Sequence, residues 1–294
     1  MNFLSDLKKS ILNIPGWHTK RKIVVIESDD WGSIRMPSRK AFEKLTKSGL
    51  DLTSGDSLRY NTNDTLAGID DLSALFDILR RYKDQHGNHP VFTALSLVAN
   101  PDFEKIRKYD FQQYFYEPIT ATLQRYYPTE NVFQYWQQGI KERLFIPQFH
   151  GREHLNVNIW MNGLRDGDQQ ANAAFNEGMW GYNNKHPSHI SLQAAFDPET
   201  EGDIKIHGQI LVDGIKLFQE LFGYKPTFFV PPNGILHESL YEVVKLVGIN
   251  YVFSSRLHRV PIGNGKFKTR FNYLGKRNNA SQLFIIRKIG RAHV

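Results

Sequence analysis

Apolar positions along the chain alternate between short β-branched or aromatic runs and longer stripes with helical spacing, the pattern of repeated β/α units around a parallel sheet. The runs that read as strands cover residues 23–28, 91–97, 144–149, 189–194, 227–230, 251–254 and 282–287. Between them Leu72, Leu75, Phe76 and Leu79 make one helical stripe. Ile204, Leu211, Ile215, Phe218 and Phe222 make a second, closed by Gly223 and followed by Pro226. Leu240, Val243, Val244 and Val247 make a third that ends at Gly248. Stripes of this kind face a core and carry no chemistry. Seven such strands predict an α/β barrel, and the absence of repeats, low-complexity tracts and linkers makes residues 22–287 one domain.

Composition narrows the chemistry more than the fold. A chain of 294 residues, 40% hydrophobic and 13% aromatic, can bury a substantial core and is not disordered. Zero cysteines remove disulfides, thiolate metal sites and thiol nucleophiles together, so a metal must be held by His, Asp or Glu. No stretch approaches the roughly 18 apolar residues of a membrane span, and the N-terminus lacks the apolar core of a signal peptide, so a cytoplasmic protein is expected. Within residues 1–21, Phe3, Leu4, Leu7 and Ile11 are spaced helically. Such a segment packs on its own domain or rests on a membrane surface.

The net charge of +7 is unevenly placed, with ten Lys/Arg and no acid from Arg256 onward. No basic face is spread over the fold, and no nucleic acid partner is expected. The end of that tail, Ile289 to Val294, reads IGRAHV, which the codons ATC GGA AGA GCA CAC GTC encode and which resembles a sequencing adapter read through in frame. Residues 288–294 are therefore expected to be non-native, with the barrel cut short at its C-terminus. Residues 101–135 are rich in aromatics, among them Tyr109, Phe111, Tyr114, Tyr126 and Phe133. They suit either a stacking wall for sugar rings or the packing of an excursion onto the barrel.

In parallel β/α folds functional groups gather at the carboxyl ends of strands. The first strand runs into Ser28-Asp29-Asp30-Trp31-Gly32. Two adjacent carboxylates there are costly unless a cation or hydrogen-bond donors meet them, and a helix cap is the plain alternative. The third runs into His150-Gly151-Arg152-Glu153-His154, whose two imidazoles, four apart, can reach one cation. The same five residues match an H-x-x-E-H peptidase signature with Glu153 as general base, although that signature needs a helix and Gly151 argues against one. The fifth predicted strand ends in Pro231-Pro232-Asn233-Gly234, a rigid lip or a simple turn.

These three strand ends, in this order, resemble the polysaccharide deacetylase superfamily, carbohydrate esterase family four. The resemblance spans about residues 22–287, carried by the short motifs alone. It implies a distorted seven-stranded (β/α) barrel of the glycoside hydrolase/deacetylase type, and a metal-dependent hydrolase acting on an acetylated sugar or polysaccharide precursor. It implies that Asp30, His150 and His154 hold one divalent ion, zinc by default, with cobalt, nickel or iron suiting the same ligands. Asp29 would be the general base. Trp31, Pro231, Pro232 and Asn233 would line the substrate groove, joined by Arg152.

Three departures accompany the resemblance. Trp31 stands between the aspartate pair and its glycine. Val230 occupies the place of the arginine that orients the base, leaving Arg152 as a substitute. The late histidine that serves as general acid has no secure counterpart; a residue lost beyond Arg287 is the first expectation and His258 the alternative. Without catalysis, the remaining reading is a carbohydrate-binding barrel.

Overall fold

The computed structural model describes residues 11, 14–54 and 57–287. The expectations placed on Phe3, Leu4, Leu7 and residues 288–294 lie outside the described residues.

In chain order the fold begins with β1 (Ile26–Trp31), followed by helices α1 (Arg39–Lys47), α2 (Ser57–Asn63) and α3 (Ile69–Arg81). Next come β2 (Phe92–Leu97) and a small antiparallel pair, β3 (Ala99–Pro101) with β4 (Tyr116–Pro118), flanking α4 (Phe103–Lys108). Helices α5 (Ile119–Tyr126) and α6 (Val132–Lys141) lead to β5 (Phe145–Gly151), then α7 (Val157–Arg165), α8 (Gln169–Asn176) and the long α9 (Glu201–Phe222). The chain finishes through β6 (Phe228–Phe229), α10 (Leu240–Leu246), β7 (Tyr251–Phe253), the hairpin β8 (Leu257–Gly263) and β9 (Lys266–Phe271), and β10 (Leu283–Ile285).

Six of these strands form one sheet in the order β1-β2-β5-β6-β7-β10, and every neighbouring pair is parallel. The fold is thus mixed α/β with a parallel central sheet. Strand pairing does not establish the expected closure into a seven-stranded barrel. Among the described residues the sheet has six strands, and no backbone ladder joins β1 to β10. The missing strand is residues 189–194. Ile190, Leu192 and Ala194 are buried, but His189 takes a left-handed backbone with φ of 55°, and Leu192 and Ala194 give their carbonyls to Asn156. Burial without strand pairing produced the apolar run.

The helical stripes lie where the spacing puts them. Leu72, Phe76 and Leu79 of α3 are buried, and α9 runs from a Thr200/Asp203 capping box to Gly223 in the left-handed conformation. Several aromatics of the 101–135 excursion pack inward, while Tyr109 and Tyr116 are exposed. Phe103 and Tyr114 meet Trp160 edge-on, Phe111 meets Phe175, and Phe133 stacks near Trp136. They fasten the excursion to the body rather than form a wall. Among the described residues no helix is long and apolar enough to cross a membrane.

Candidate functional site

Both strands that carry candidate ligands are irregular at the ligand itself. On β1, Ser28 pairs with Ala94 and Trp31 with Ser96, so three steps on β1 match two on β2. The extra residue lies in the Asp29-Asp30 pair, and Asp30 has φ of 71°. In a regular strand neighbouring side chains point to opposite faces; a bulge re-aims them, and aspartate tolerates this backbone better than most residues. Here both carboxylates line one cleft. On β5, Phe149 pairs with Ser96 and Gly151 with Leu97, which leaves His150 as the additional residue.

Asp30, His150 and His154 offer one ligand atom each within 4.8 Å of one another, although Asp30 and His150 stand 120 residues apart. Nε2 of His150 lies 3.2 Å and Nε2 of His154 3.3 Å from the same oxygen, Oδ1 of Asp30. Nδ1 of His150 is 2.7 Å from the Val230 carbonyl oxygen. A carbonyl only accepts, so the ring proton belongs on Nδ1, and in the neutral ring Nε2 turns a lone pair toward Oδ1. Burial pushes His154 down to about 3, against the pull of Asp30, so this ring is neutral at ordinary pH. Its Nδ1 is buried with no hydrogen-bond partner.

One carboxylate oxygen of Asp30 faces two imidazole nitrogens, and the other faces Arg35. A divalent cation fits the donor set: two imidazoles and a carboxylate form the open, three-ligand kind of site that leaves room for water or substrate. The bond from His150 to Val230 orients the ring in the way a metal-ligating histidine is commonly held.

Arg35 supplies the fixed counter-charge. Its side chain is 1% exposed and reaches Oδ2 of Asp30 at 3.2 Å, leaving Oδ1 for the imidazoles. It also meets Oδ1 of Asp64 at 3.4 Å and donates to Gln193 at 2.9 Å, with its guanidinium 4.2 Å from the Tyr60 ring centre. Burial would raise the Asp30 carboxyl, but Arg35 foremost, then His154 and His150, hold it well below the usual carboxylate range. Asp64 goes the other way, raised by its burial in spite of Arg35. Asp64 also accepts from the backbone N–H groups of Arg35 and Met36, which ties the loop after β1 to the cleft. That cleft has a volume of about 300 Å³ and is lined in part by Asp29, Asp30, Trp31, Arg35, Tyr60 and Asp64.

The remaining sequence candidates fall in different places. Asp29 is held by Arg287, whose two terminal nitrogens donate to its two oxygens at 2.8 and 2.7 Å. Arg152 therefore does not take the orienting role. It forks onto Glu153 at 2.6 and 2.7 Å, lies over the Tyr116 ring, and is 5% exposed. The same fork occupies both oxygens of Glu153, and no helix forms around the histidine pair, so the H-x-x-E-H reading fails on both of its requirements. Trp31 borders the cleft while its ring packs edge-on against Phe92, Trp136 and Phe145. Pro231 and Pro232 are buried and Asn233 is exposed with φ of 53°; this turn follows the Val230 carbonyl that orients His150. His258 is buried in the β8–β9 hairpin, opposite Arg270.

Sequence reasoning missed Arg35, Asp64 and Arg287. Arg287 closes the last predicted strand, so the strand-end rule that found the aspartates was signal enough for it. Arg35 and Asp64 carry no local signal.

No family model and no curated protein matches the chain. Three solved structures are similar to it at low identity and low TM-score. A de-N-acetylase from Aggregatibacter actinomycetemcomitans shares 14% identity over 78% of this chain and 85% of its own, with a TM-score of 0.34. IcaB from Ammonifex degensii shares 12% over 78% of this chain and 82% of its own, with a TM-score of 0.30. A polysaccharide deacetylase from Bacillus cereus shares 10% over 91% of this chain and 65% of its own, with a TM-score of 0.37.

Proposed function

We propose that this protein is a metal-dependent hydrolase that removes acetyl groups from an acetylated sugar or polysaccharide precursor. One observation carries the reading: two imidazoles and a carboxylate converge within 4.8 Å of one another, with the His150 ring oriented by the Val230 carbonyl. Asp30, His150 and His154 would hold the ion, with zinc the first choice for two histidines and a carboxylate. When bound, such an ion lowers the pKa of water and polarises a carbonyl.

The chain's own groups then have definite tasks. Asp29, beside the ligand Asp30 and in the same cleft, accepts the proton that attacking water must lose. Arg287 keeps both Asp29 oxygens in a fixed plane. Arg35 keeps Asp30 ionised and its second oxygen occupied. Tyr60 and Trp31 give the cleft aromatic surface against which the apolar face of a sugar ring can lie. The acetylated substrate class rests on the motif order read in the sequence.

The direct test is metal analysis of purified protein together with acetate release from an N-acetylglucosamine oligomer. One metal per chain with zinc-dependent release supports the proposal; a chain that takes up no divalent metal ends it.

A further inference from the structure

The outermost strands of the sheet are β1 and β10; β10 is bonded on its outer side to residues 275–277, and no strand pairing joins it to β1 among the described residues. A side chain does. Arg287, two residues past β10, forks onto Asp29 at 2.7 and 2.8 Å and also reaches Oε2 of Glu27 at 3.1 Å. Both partners lie on β1. On its own side of the gap the guanidinium sits 5.1 Å from the ring centre of Phe253, the last residue of β7. The contact is largely sheltered, since the Arg287 and Glu27 side chains are each 19% exposed and Asp29 is 38% exposed.

An exposed single-contact ion pair restrains little, because either side chain can turn away. This one is different in three respects. The fork fixes the carboxylate plane as well as its distance. The Phe253 face limits how the guanidinium can rotate. Glu27 adds a second carboxylate beside the same guanidinium.

We infer that Arg287 is a positioning residue for Asp29, clasping the first strand to the last and holding the Asp29 carboxylate in one orientation at the cleft. The inference rests on the proposed role of Asp29 as proton acceptor. It adds that the geometry of that acceptor depends on a side-chain link between β1 and the residues after β10, where no strand pairing joins the two strands.

The test compares the zinc-loaded full chain with Arg287→Met, Arg287→Lys and Arg287→Ala, using acetate release from an N-acetylglucosamine oligomer. Arg287→Met is expected to keep one metal per chain and its KM while kcat falls by about 10²-fold, the usual result of misplacing a reacting group. Arg287→Lys, with a charge but no fork, should recover only part of that loss. Millimolar guanidinium added to Arg287→Ala should raise its kcat, a response that a purely structural clasp would not show. Amide exchange in the metal-free protein gives a separate readout, with β1 and β10 exchanging faster in Arg287→Met. An active wild type beside an Arg287→Met of equal kcat overturns the positioning role alone, as does failure of guanidinium to restore any turnover to a folded Arg287→Ala. A wild type that binds metal and releases no acetate overturns the underlying reading, and this inference with it.

Discussion

Nδ1 of His150 donates to the Val230 carbonyl at 2.7 Å, and this bond decides what the opposite side of the ring can do. In the neutral ring, the proton on Nδ1 leaves the Nε2 lone pair free to bind a cation. Truncating any of the three ligands should therefore abolish stoichiometric binding rather than weaken it slightly, because two remaining ligands do not make a three-ligand site. His150→Ala, His154→Ala and Asp30→Ala, assayed by metal content after dialysis against zinc, are expected to come out empty while wild type holds one ion. Full occupancy in Asp30→Ala would remove that carboxylate from the site.

Asp29 and Asp30 are neighbours with opposite expected phenotypes. Asp29→Asn should retain the metal, since its carboxylate is bound to Arg287 rather than to the imidazoles. Its kcat for acetate release should fall by about 10²–10⁴-fold, the usual cost of removing a general base. A carbohydrate-binding barrel would instead keep its one function, glycan affinity, in Asp29→Asn. Parallel metal, kcat and glycan-affinity measurements separate the two.

The legible parts of this protein are those in which a short stretch of sequence fixes its own surroundings. Asp29-Asp30 and the His150/His154 pair each sit at the end of a strand that period-two patterning reveals, and α9 announces itself by its stripe and its terminal Gly223. The bulges at Asp30 and His150 are invisible in that pattern, because they show only as an extra residue against the partner strand. Arg35 is illegible for a related reason. A buried arginine is defined by its partners, and Asp64 and Gln193 are 29 and 158 residues away. Residues 189–194 misled because strong burial resembles a strand when nothing in the sequence marks the missing ladder.

Arg35 is the buried cation on which two half-buried carboxylates depend in the metal-free chain. Arg35→Met leaves Asp30 and Asp64 without it, and removing one partner of a buried ion pair costs about 3–5 kcal/mol. Urea unfolding of the metal-free protein should show this as a lowered midpoint with an unchanged slope. A loss below about 1 kcal/mol, the scale of an exposed pair, would show that Arg35 is not the counter-charge.

Gly32 shapes the turn that follows the aspartates. It has φ of 85°, and a Cβ there would stand 2.7 Å from the Leu97 carbonyl oxygen, a backbone atom that cannot swing aside. Gly32→Ala combines a disfavoured backbone with a clash, which together cost about 1–3 kcal/mol. The displaced turn carries Asp30, so zinc affinity by calorimetry should weaken along with stability. A variant with wild-type stability and affinity would show that the turn relaxes freely.

Acid sensitivity has an identifiable source away from the site. His207 on α9 is 1% exposed, neither ring nitrogen has a hydrogen-bond partner, and its ring meets Phe196 edge-on at 5.8 Å. Burial, only partly opposed by Asp203, lowers it from 6.5 to about 4. The unfolded chain therefore takes up a proton near pH 6.5 that the folded chain refuses until about pH 4. The stability owed to the neutral ring is complete above pH 6.5 and is lost as pH falls toward 4, by on the order of 3 kcal/mol for this group alone. His207→Phe keeps an aromatic ring and removes the titration, so its urea midpoint should fall less steeply than that of wild type across this window. Parallel profiles for the two proteins would place the acid sensitivity elsewhere.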